Sequence, residues 1–253
     1  MSVSSMQLLT TRQYKLDKGI GSGYLTAGIT LAPAGEAATT LGITLPSVCA
    51  YSGACGLAEI GGCLVHTGMN SMPTHARARA LRTQFWYQDR PAFLRQVFHE
   101  FGAVERKAAR EGFNVAFRPN VLSDLPVMAR AIATALPHVK VYDYTKIPPA
   151  KWSWRLKNYT RTYSVSERTT PSDIRAAFKR RANCAVVVDV RKGDPIPATF
   201  TVLGVTRPTI DGDLDDLRFT DESDHYVILR WKGSRARLVR ALAAGWALTV
   251  PTP

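Results

Sequence analysis

Apolar residues recur every three to four positions along two neighbouring stretches of the chain, which predicts two amphipathic helices. The first covers 74–88 (THARARALRTQFWYQ) and follows Pro73, a residue suited to the first turn of a helix. The second covers 90–112, where Phe93, Val97 and Phe101 form an apolar stripe and Gly112 ends the pattern. Both helices are expected to pack one face on a core.

From residue 113 onward, short apolar runs alternate with helical segments. Strands are predicted at 113–119, 138–144, 158–166 and 184–190, and helices at 125–136 and 171–182, the second with Pro171 before a cap at Ser172. Strand–helix–strand alternation of this kind favours parallel strands joined by crossover helices. Steps of about 25 residues per unit are typical of a full or partial (β/α) barrel.

The C-terminal portion, 196–253, departs from this alternation and is expected to be a mixed β/α region. It contains a predicted strand at 225–231, a closing helix at 234–248 and seven acidic residues between 210 and 224. We expect an Asp-Gly turn there, with the acids paired to arginines or solvated; a calcium loop would need glycine where Asp216 stands. Residues 1–17 are interpreted as a lead-in and 18–253 as a single α/β domain.

Composition and charge narrow the class of protein. The 253 residues are 45% hydrophobic, without an apolar run long enough to cross a membrane, and the N-terminus lacks the pattern of a secretory leader. Four cysteines in a chain of this length do not suggest a disulfide framework, so a cytoplasmic location is expected.

The net charge of +13 indicates a polyanion as partner, most often nucleic acid, although solubility alone also explains such an excess. Basic residues beside aromatic ones can contact phosphates and stack on bases, whereas the simpler interpretation is a helix with a solvated basic side. The candidate nucleic-acid contacts are Arg77, Arg79, Arg82, Lys179, Arg180 and Arg181.

The stretch 48–68 concentrates the candidate metal chemistry. Cys49, Cys55 and Cys63 lie within fifteen residues among Gly, Ala and Ser, and His66 follows. Thiolates are the ligands selected by iron–sulfur clusters and zinc. Three interpretations stay open: a [4Fe–4S] cluster on three cysteines, a structural zinc site that adds the histidine, or three thiols packed in a core without metal.

Polar residues follow the predicted strands, and in a β/α barrel such positions form the functional rim. Each of them alone is more often a turn or cap residue. The candidates are Arg118, Asn120, Ser123 and Asp124 after the first strand, Asp143, Tyr144 and Lys146 after the second, Ser164, Ser166 and Glu167 after the third, and Asp189 and Arg191 after the fourth.

Several motifs together resemble the gene product 88 proteins of phages, prophages and small plasmids. They are CLVHTG (63–68), FWYQDRPAFLRQV (85–97), FRPNVLSDLP (117–126), VKVYDYTK (139–146), NYTRTYSVSE (158–167) and IDGDLDDLRFTD (210–221). That family looks like a relative of the radical S-adenosylmethionine barrel enzymes. The resemblance implies a cysteine cluster at Cys49, Cys55 and Cys63, although the spacing of the last two is longer than expected.

The resemblance also places Asn120, Ser123 and Asp124 at one strand-end motif of the family and Asp143, Tyr144 and Lys146 at another. We expect Asn120, Ser123 and Tyr144 to bind a cofactor and Asp124, Asp143 and Lys146 to be catalytic. The first functional hypothesis is therefore a phage- or plasmid-type metalloprotein, with a [4Fe–4S] cluster and S-adenosylmethionine, acting on a nucleotide or nucleic acid. The alternative is a non-catalytic nucleic-acid-binding protein of a mobile element, with structural zinc or no metal.

Overall fold

Two compact units make up the chain in the structure, a computed structural model that describes residues 6–11, 14–17, 19–33, 35–49 and 63–250. The first unit comprises Met1–Ala50, Gly68–Asp143 and Leu156–Tyr159, and the second comprises Tyr51–Thr67, Tyr144–Arg155 and Thr160–Pro253. Each unit has its own apolar core among the described residues.

The first unit pairs its strands in chain order, β1-β2-β3-β4, with β1 antiparallel to β2 and the others parallel. Its elements are β1 (Leu9–Thr10), α1 (Tyr14–Asp17), β2 (Tyr24–Ile29), α2 (Glu36–Leu41), α3 (Pro73–Gln88), α4 (Arg90–Glu111), β3 (Asn114–Arg118), α5 (Pro126–Ala135) and β4 (Lys140–Thr145).

Helix α4 shows how the sequence pattern becomes structure. The Asp89 side chain accepts a hydrogen bond from the Ala92 N–H at 2.9 Å and caps its first turn, and Gly112 ends it with a φ of 73°. Phe93 and Phe101 of the apolar stripe are fully buried, which stabilises the fold by about 1.5–3 kcal/mol for each side chain. The Phe101 ring lies 5.0 Å from that of Phe117 on β3, so the helix packs directly on the sheet.

The second unit orders its strands β5-β6-β9-β8-β7. Strands β5, β6, β9 and β8 run parallel, whereas β7 and β8 form an antiparallel hairpin. Its elements are β5 (Tyr159–Ser164), α6 (Pro171–Lys179), β6 (Cys184–Val188), β7 (Thr199–Val202), β8 (Val205–Asp211), β9 (Tyr226–Arg230) and α7 (Arg235–Ala243).

The predicted mixed α/β class, with mostly parallel strands and a mixed C-terminal portion, is confirmed. Two details differ from the sequence prediction. The cap of α6 is Thr170, which accepts from the Asp173 N–H in a capping box, so the prediction of Ser172 was wrong. The β7–β8 hairpin was not predicted, and it turns through positive φ angles at Leu203 and Gly204.

Among the described residues, no helix has both the length and the apolar character needed to cross a membrane.

Candidate functional site

The carboxyl ends of β3 and β4 carry a buried network of hydrogen bonds centred on Asp143. One oxygen of its carboxyl group accepts from the Asn120 backbone N–H at 2.8 Å. The other accepts from the Asn120 side-chain amide at 2.9 Å and from the Tyr159 hydroxyl at 3.2 Å. Only 1% of Asp143 is exposed, so these three donors replace water around the carboxyl group.

Asn120 joins this carboxyl group to the loop between β3 and α5. Its side-chain oxygen accepts from the Ser123 hydroxyl at 2.7 Å and from the Leu125 N–H at 2.9 Å. Both Asn120 and Ser123 are buried. The Asn120 side chain therefore donates to Asp143 on β4 and accepts from the loop between β3 and α5. These bonds hold the loop against the edge of the sheet.

Burial determines the protonation of Asp143. Loss of water raises the pKa of its carboxyl group to about 7, despite the opposing effects of the Asn120 donors and the Arg118 charge, while the Asp124 charge adds to the rise. A carboxyl group with this pKa exchanges a proton near neutral pH. In a hydrogen-bonded strand-end site, such a group is a candidate for acid–base chemistry.

Cys49 lies next to the same loop. It forms a parallel β-bridge with Asp124, whose N–H donates to the Val48 carbonyl at 2.8 Å. The Cys49 sulfur lies 3.8 Å from the Leu122 carbonyl oxygen, and the residue is partly exposed. The structure therefore brings together the predicted residues Cys49, Asn120, Ser123, Asp124 and Asp143.

The other three cysteines do not lie at this strand-end network in the part of the chain that the structure describes. Cys55 lies outside the described residues, and Cys63 is in the second unit, just before the helical turn Leu64–His66. Within the described part of the chain, no three His, Cys, Asp or Glu side chains are grouped to hold a metal. Cys184 is fully buried in β6, and burial raises the pKa of its thiol well above its usual range, so it is a core thiol.

Tyr144 and Lys146, also predicted at the strand ends, belong to the second unit. The Tyr144 hydroxyl donates to the Asp216 carboxylate at 3.3 Å, and the Lys146 ammonium donates to the Ser164 hydroxyl at 3.0 Å. Lys146 also lies 5.7 Å from the centre of the Trp246 ring. Both side chains thus have polar partners from other strand ends or loops of that unit.

The acidic stretch pairs with arginines, as predicted. The buried Arg218 guanidinium lies 2.9 Å from Asp215 and 3.2 Å from Asp221, and Arg230 lies 2.6 Å from Asp211. Burial raises the pKa of Asp221 to about 6, against the opposing effect of Arg218. These ion pairs stabilise the loops around β8 and β9.

The basic residues predicted to contact nucleic acid differ in their exposure to solvent. Arg77 on α3 is exposed, as are Lys179, Arg180 and Arg181 at the end of α6. Arg79 is only 2% exposed and binds both oxygens of Glu36, at 2.8 and 2.5 Å. The partly buried Arg82 donates to the Gln7 carbonyl at 2.9 Å. Arg79 and Arg82 therefore hold the first unit together in this structure, and exposed cations are available at the other four positions.

Sequence reasoning missed Tyr159, the third donor to Asp143. The signals present were its position at the start of a predicted strand and its place in the NYTRTYSVSE motif. A shallow cavity of the first unit, lined in part by Gln96, His99 and Glu100, includes none of the predicted site residues. There Glu100 accepts from the Leu8 and Leu9 N–H groups, so it anchors the N-terminal strand.

Comparison with known proteins supplies the family. Neither the curated proteins nor the solved structures include a match to the chain. The model of one family, described as Gene product 88, matches residues 6–244, and these are most of the 253 residues. The match confirms the resemblance noted in the sequence motifs, and the chain belongs to the gene product 88 family.

Proposed function

We propose that this protein is a phage- or plasmid-type metalloenzyme whose reaction centre lies at the carboxyl ends of β3 and β4. The observation that carries the proposal is the Cys49–Asp124 bridge, which sets a partly exposed thiol beside the loop of the Asp143 network. Carboxyl ends of parallel strands are where α/β enzymes most often bind substrates. The proposal includes closure of the strands into a full or partial barrel.

The metal centre in this proposal is a [4Fe–4S] cluster held by Cys49, Cys55 and Cys63. Cys49 suits this role, because it is partly exposed at the edge of the first unit's core, whereas Cys184 is fully buried. When bound, a cluster of this type with S-adenosylmethionine supplies one-electron chemistry that the protein's side chains lack. Zinc on the same thiols is the structural alternative.

The side chains around the centre have roles that follow from their contacts. Asp143 holds or releases a proton on its carboxyl oxygen near neutral pH. Asn120 and Tyr159 orient that carboxyl group, and Ser123 orients the Asn120 amide. Asp124, on the same loop as Ser123, is the second carboxylate proposed to contact substrate, and Lys146 and Tyr144 keep their predicted catalytic and cofactor-binding roles as part of this proposal.

The proposed substrate is a nucleotide or nucleic acid, and the proposed compartment is the host cytoplasm. An excess of +13 charges favours a polyanion. Four cysteines in a chain of 253 residues are not the pattern of a disulfide framework, which favours a reducing compartment.

Anaerobic purification followed by iron and sulfide analysis tests the metal centre. We expect a brown protein whose iron content falls strongly in Cys49→Ser and stays unchanged in Cys184→Ala, the control at the buried cysteine. A colourless protein without iron, sulfide or zinc would overturn the metal centre. Equal metal content in the two variants would exclude Cys49 as a ligand.

A second function is favoured by the three consecutive exposed cations Lys179, Arg180 and Arg181. It is non-catalytic binding of nucleic acid by a mobile-element protein, with zinc or no metal. Each neutralised phosphate releases counterions, so affinity should fall steeply with salt. Replacing all three by alanine should flatten that dependence, whereas a triple variant with an unchanged salt slope would contradict contacts at these positions.

A further inference from the structure

The segment that follows β4 combines two tryptophans with a run of positive charge. Between residues 146 and 161 the chain has basic residues and neither Asp nor Glu; the basic ones are Lys146, Lys151, Arg155, Lys157 and Arg161. Lys151 and Arg155 are exposed, and Trp152 and Trp154 are partly exposed. A polyanion is the partner that such a local charge attracts.

Trp152 anchors this segment to the second unit. Its indole N–H donates to the Ile147 carbonyl at 2.9 Å, and its ring packs against the core cluster that includes Ile174 and Phe178 of α6. The helical turn Pro149–Lys151 packs against α6 as well. The loop is therefore held on a helix that ends in exposed cations.

Trp154 is placed differently, because it is not among the side chains of the described apolar clusters. It contacts Arg161 on β5, whose guanidinium carbon lies 4.0 Å from the centre of the Trp154 ring and 5.2 Å from that of Trp152. A cation over an indole stabilises the pair and holds the ring in one orientation. A partly exposed indole, held by Arg161 and flanked along the chain by Lys151 and Arg155, is thus presented at the surface.

We propose that this surface, defined as Lys151, Trp152, Trp154, Arg155 and Arg161, binds single-stranded nucleic acid. Trp154 stacks on an unpaired base, and Lys151 and Arg155 contact the phosphates on either side. Stacking on aromatic side chains within a basic groove is how proteins bind single strands with little sequence preference. A duplex offers no free base face to the indole, so the single strand is the form that fits.

This inference rests on the nucleic-acid partner proposed above and adds its strandedness and contact residues. It does not depend on the metal centre, since it uses none of the cysteines. DNA and RNA share the phosphates and the base faces that this surface contacts, so the experiment includes both.

The test measures binding of the full chain to fluorescent oligonucleotides of about 12 nucleotides, a length within the range of single-strand sites. The set contains single-stranded DNA, single-stranded RNA and a DNA duplex of one sequence. We expect a single strand to bind more tightly than the duplex. Trp154→Ala should weaken that binding roughly tenfold or more, as loss of one stacking ring does.

Two further variants separate stacking from charge and from folding. Trp154→Phe keeps an aromatic face and should retain most of the affinity, which would exclude a trivial loss through misfolding. Arg155→Ala should reduce the slope of log affinity against log salt by about 0.7 for one lost phosphate contact. Arg110→Ala, which removes an exposed charge from α4, is the matched control and should bind within about twofold of wild type.

The outcomes distinguish failure of the Trp154 surface from failure of the proposed nucleic-acid partner. Binding of wild type without any loss in Trp154→Ala, on whichever strand binds best, would overturn the Trp154 surface and leave the nucleic-acid partner in place. Equal binding of duplex and single strand would also overturn it. If wild type binds none of the three oligonucleotides at low salt, the nucleic-acid partner itself is wrong.

Discussion

Carboxyl groups are held in two different ways in the two units. In the first unit, Asp143 receives hydrogen bonds from the uncharged donors of Asn120 and Tyr159, and its pKa rises to about 7. In the second unit, the aspartates around Arg218 and Arg230 pair with guanidinium groups. Burial raises a pKa in both units, because that of Asp221 rises to about 6 against the opposing charge of Arg218.

The difference separates a candidate for chemistry from structural ion pairs. A group that exchanges its proton near neutral pH can act as an acid or base. Asp143 lies at a strand end, and the loop that its network holds is bridged to Cys49 through Asp124. The Arg218 and Arg230 pairs instead tie loops to β8 and β9. Burial and a raised pKa are common to Asp143 and Asp221, so they do not by themselves identify a functional carboxylate. The strand-end position of Asp143, in the network of the loop bridged to Cys49, is what makes it the candidate.

The largest expected effect comes from Arg218→Met in the second unit. This change leaves Asp215 and the buried Asp221 without their cation, and removing one partner of a buried ion pair costs about 3–5 kcal/mol. Urea unfolding should show a large fall in the free energy of unfolding. A loss below about 1 kcal/mol would show that the cluster does not stabilise the unit.

The dependence of stability on pH tests the first unit. Because the folded-state pKa of Asp143 is raised from 3.8 to about 7, its stabilising effect is complete below pH 4 and is lost as pH rises toward 7. The full shift corresponds to about 4 kcal/mol. We expect wild type to lose stability relative to Asp143→Asn by up to this amount between pH 4 and 8.

Asp143→Asn is the matched reference for that measurement because its amide does not titrate, while Asp221 and all other groups are common to both proteins. Parallel stability curves over the whole range would mean that Asp143 titrates normally. Asp143 would then not exchange a proton near neutral pH, and its proposed acid–base role would be wrong.

Asn120→Ala should have an intermediate effect. It removes one donor to Asp143 and the oxygen that accepts from the Ser123 hydroxyl and the Leu125 N–H. Because buried polar groups then lack a partner, the free energy of unfolding should fall by about 1–3 kcal/mol. The pKa of Asp143 should rise further, since a donor to its charged form is lost. A pH–stability curve displaced to higher pH would show this, and an unchanged midpoint would contradict the role of Asn120.

Ser123→Ala should have the smallest effect, about 0.5–1.5 kcal/mol, because Asn120 keeps its bond from the Leu125 N–H. Ser172→Ala is the control: Thr170 caps α6, so its stability should remain within about 0.5 kcal/mol of wild type. If the two variants lose equal stability, the Ser123 hydroxyl adds nothing beyond an ordinary surface contact.

Local sequence patterns predicted most helices and strands. They missed a hairpin whose turn residues are unusual and misplaced one helix cap. The apolar spacing of α4 and the short β runs required no knowledge of distant residues. The β7–β8 hairpin was missed because its turn places Leu203, not the usual Asn or Gly, at a positive φ. The cap at Thr170 could have been read from Thr-x-x-Asp, which is a capping-box pattern.

The sequence by itself determined the α/β class, the family and the residues available at the strand ends, because periodicity and motifs are local properties. Only the tertiary structure decided which of them meet. Asn120 and Asp143 are 23 positions apart, and Glu36 pairs with Arg79, which the sequence alone made a candidate nucleic-acid contact. Protonation, burial and ion pairing depend on the groups that folding brings near, and no spacing along the chain specifies them.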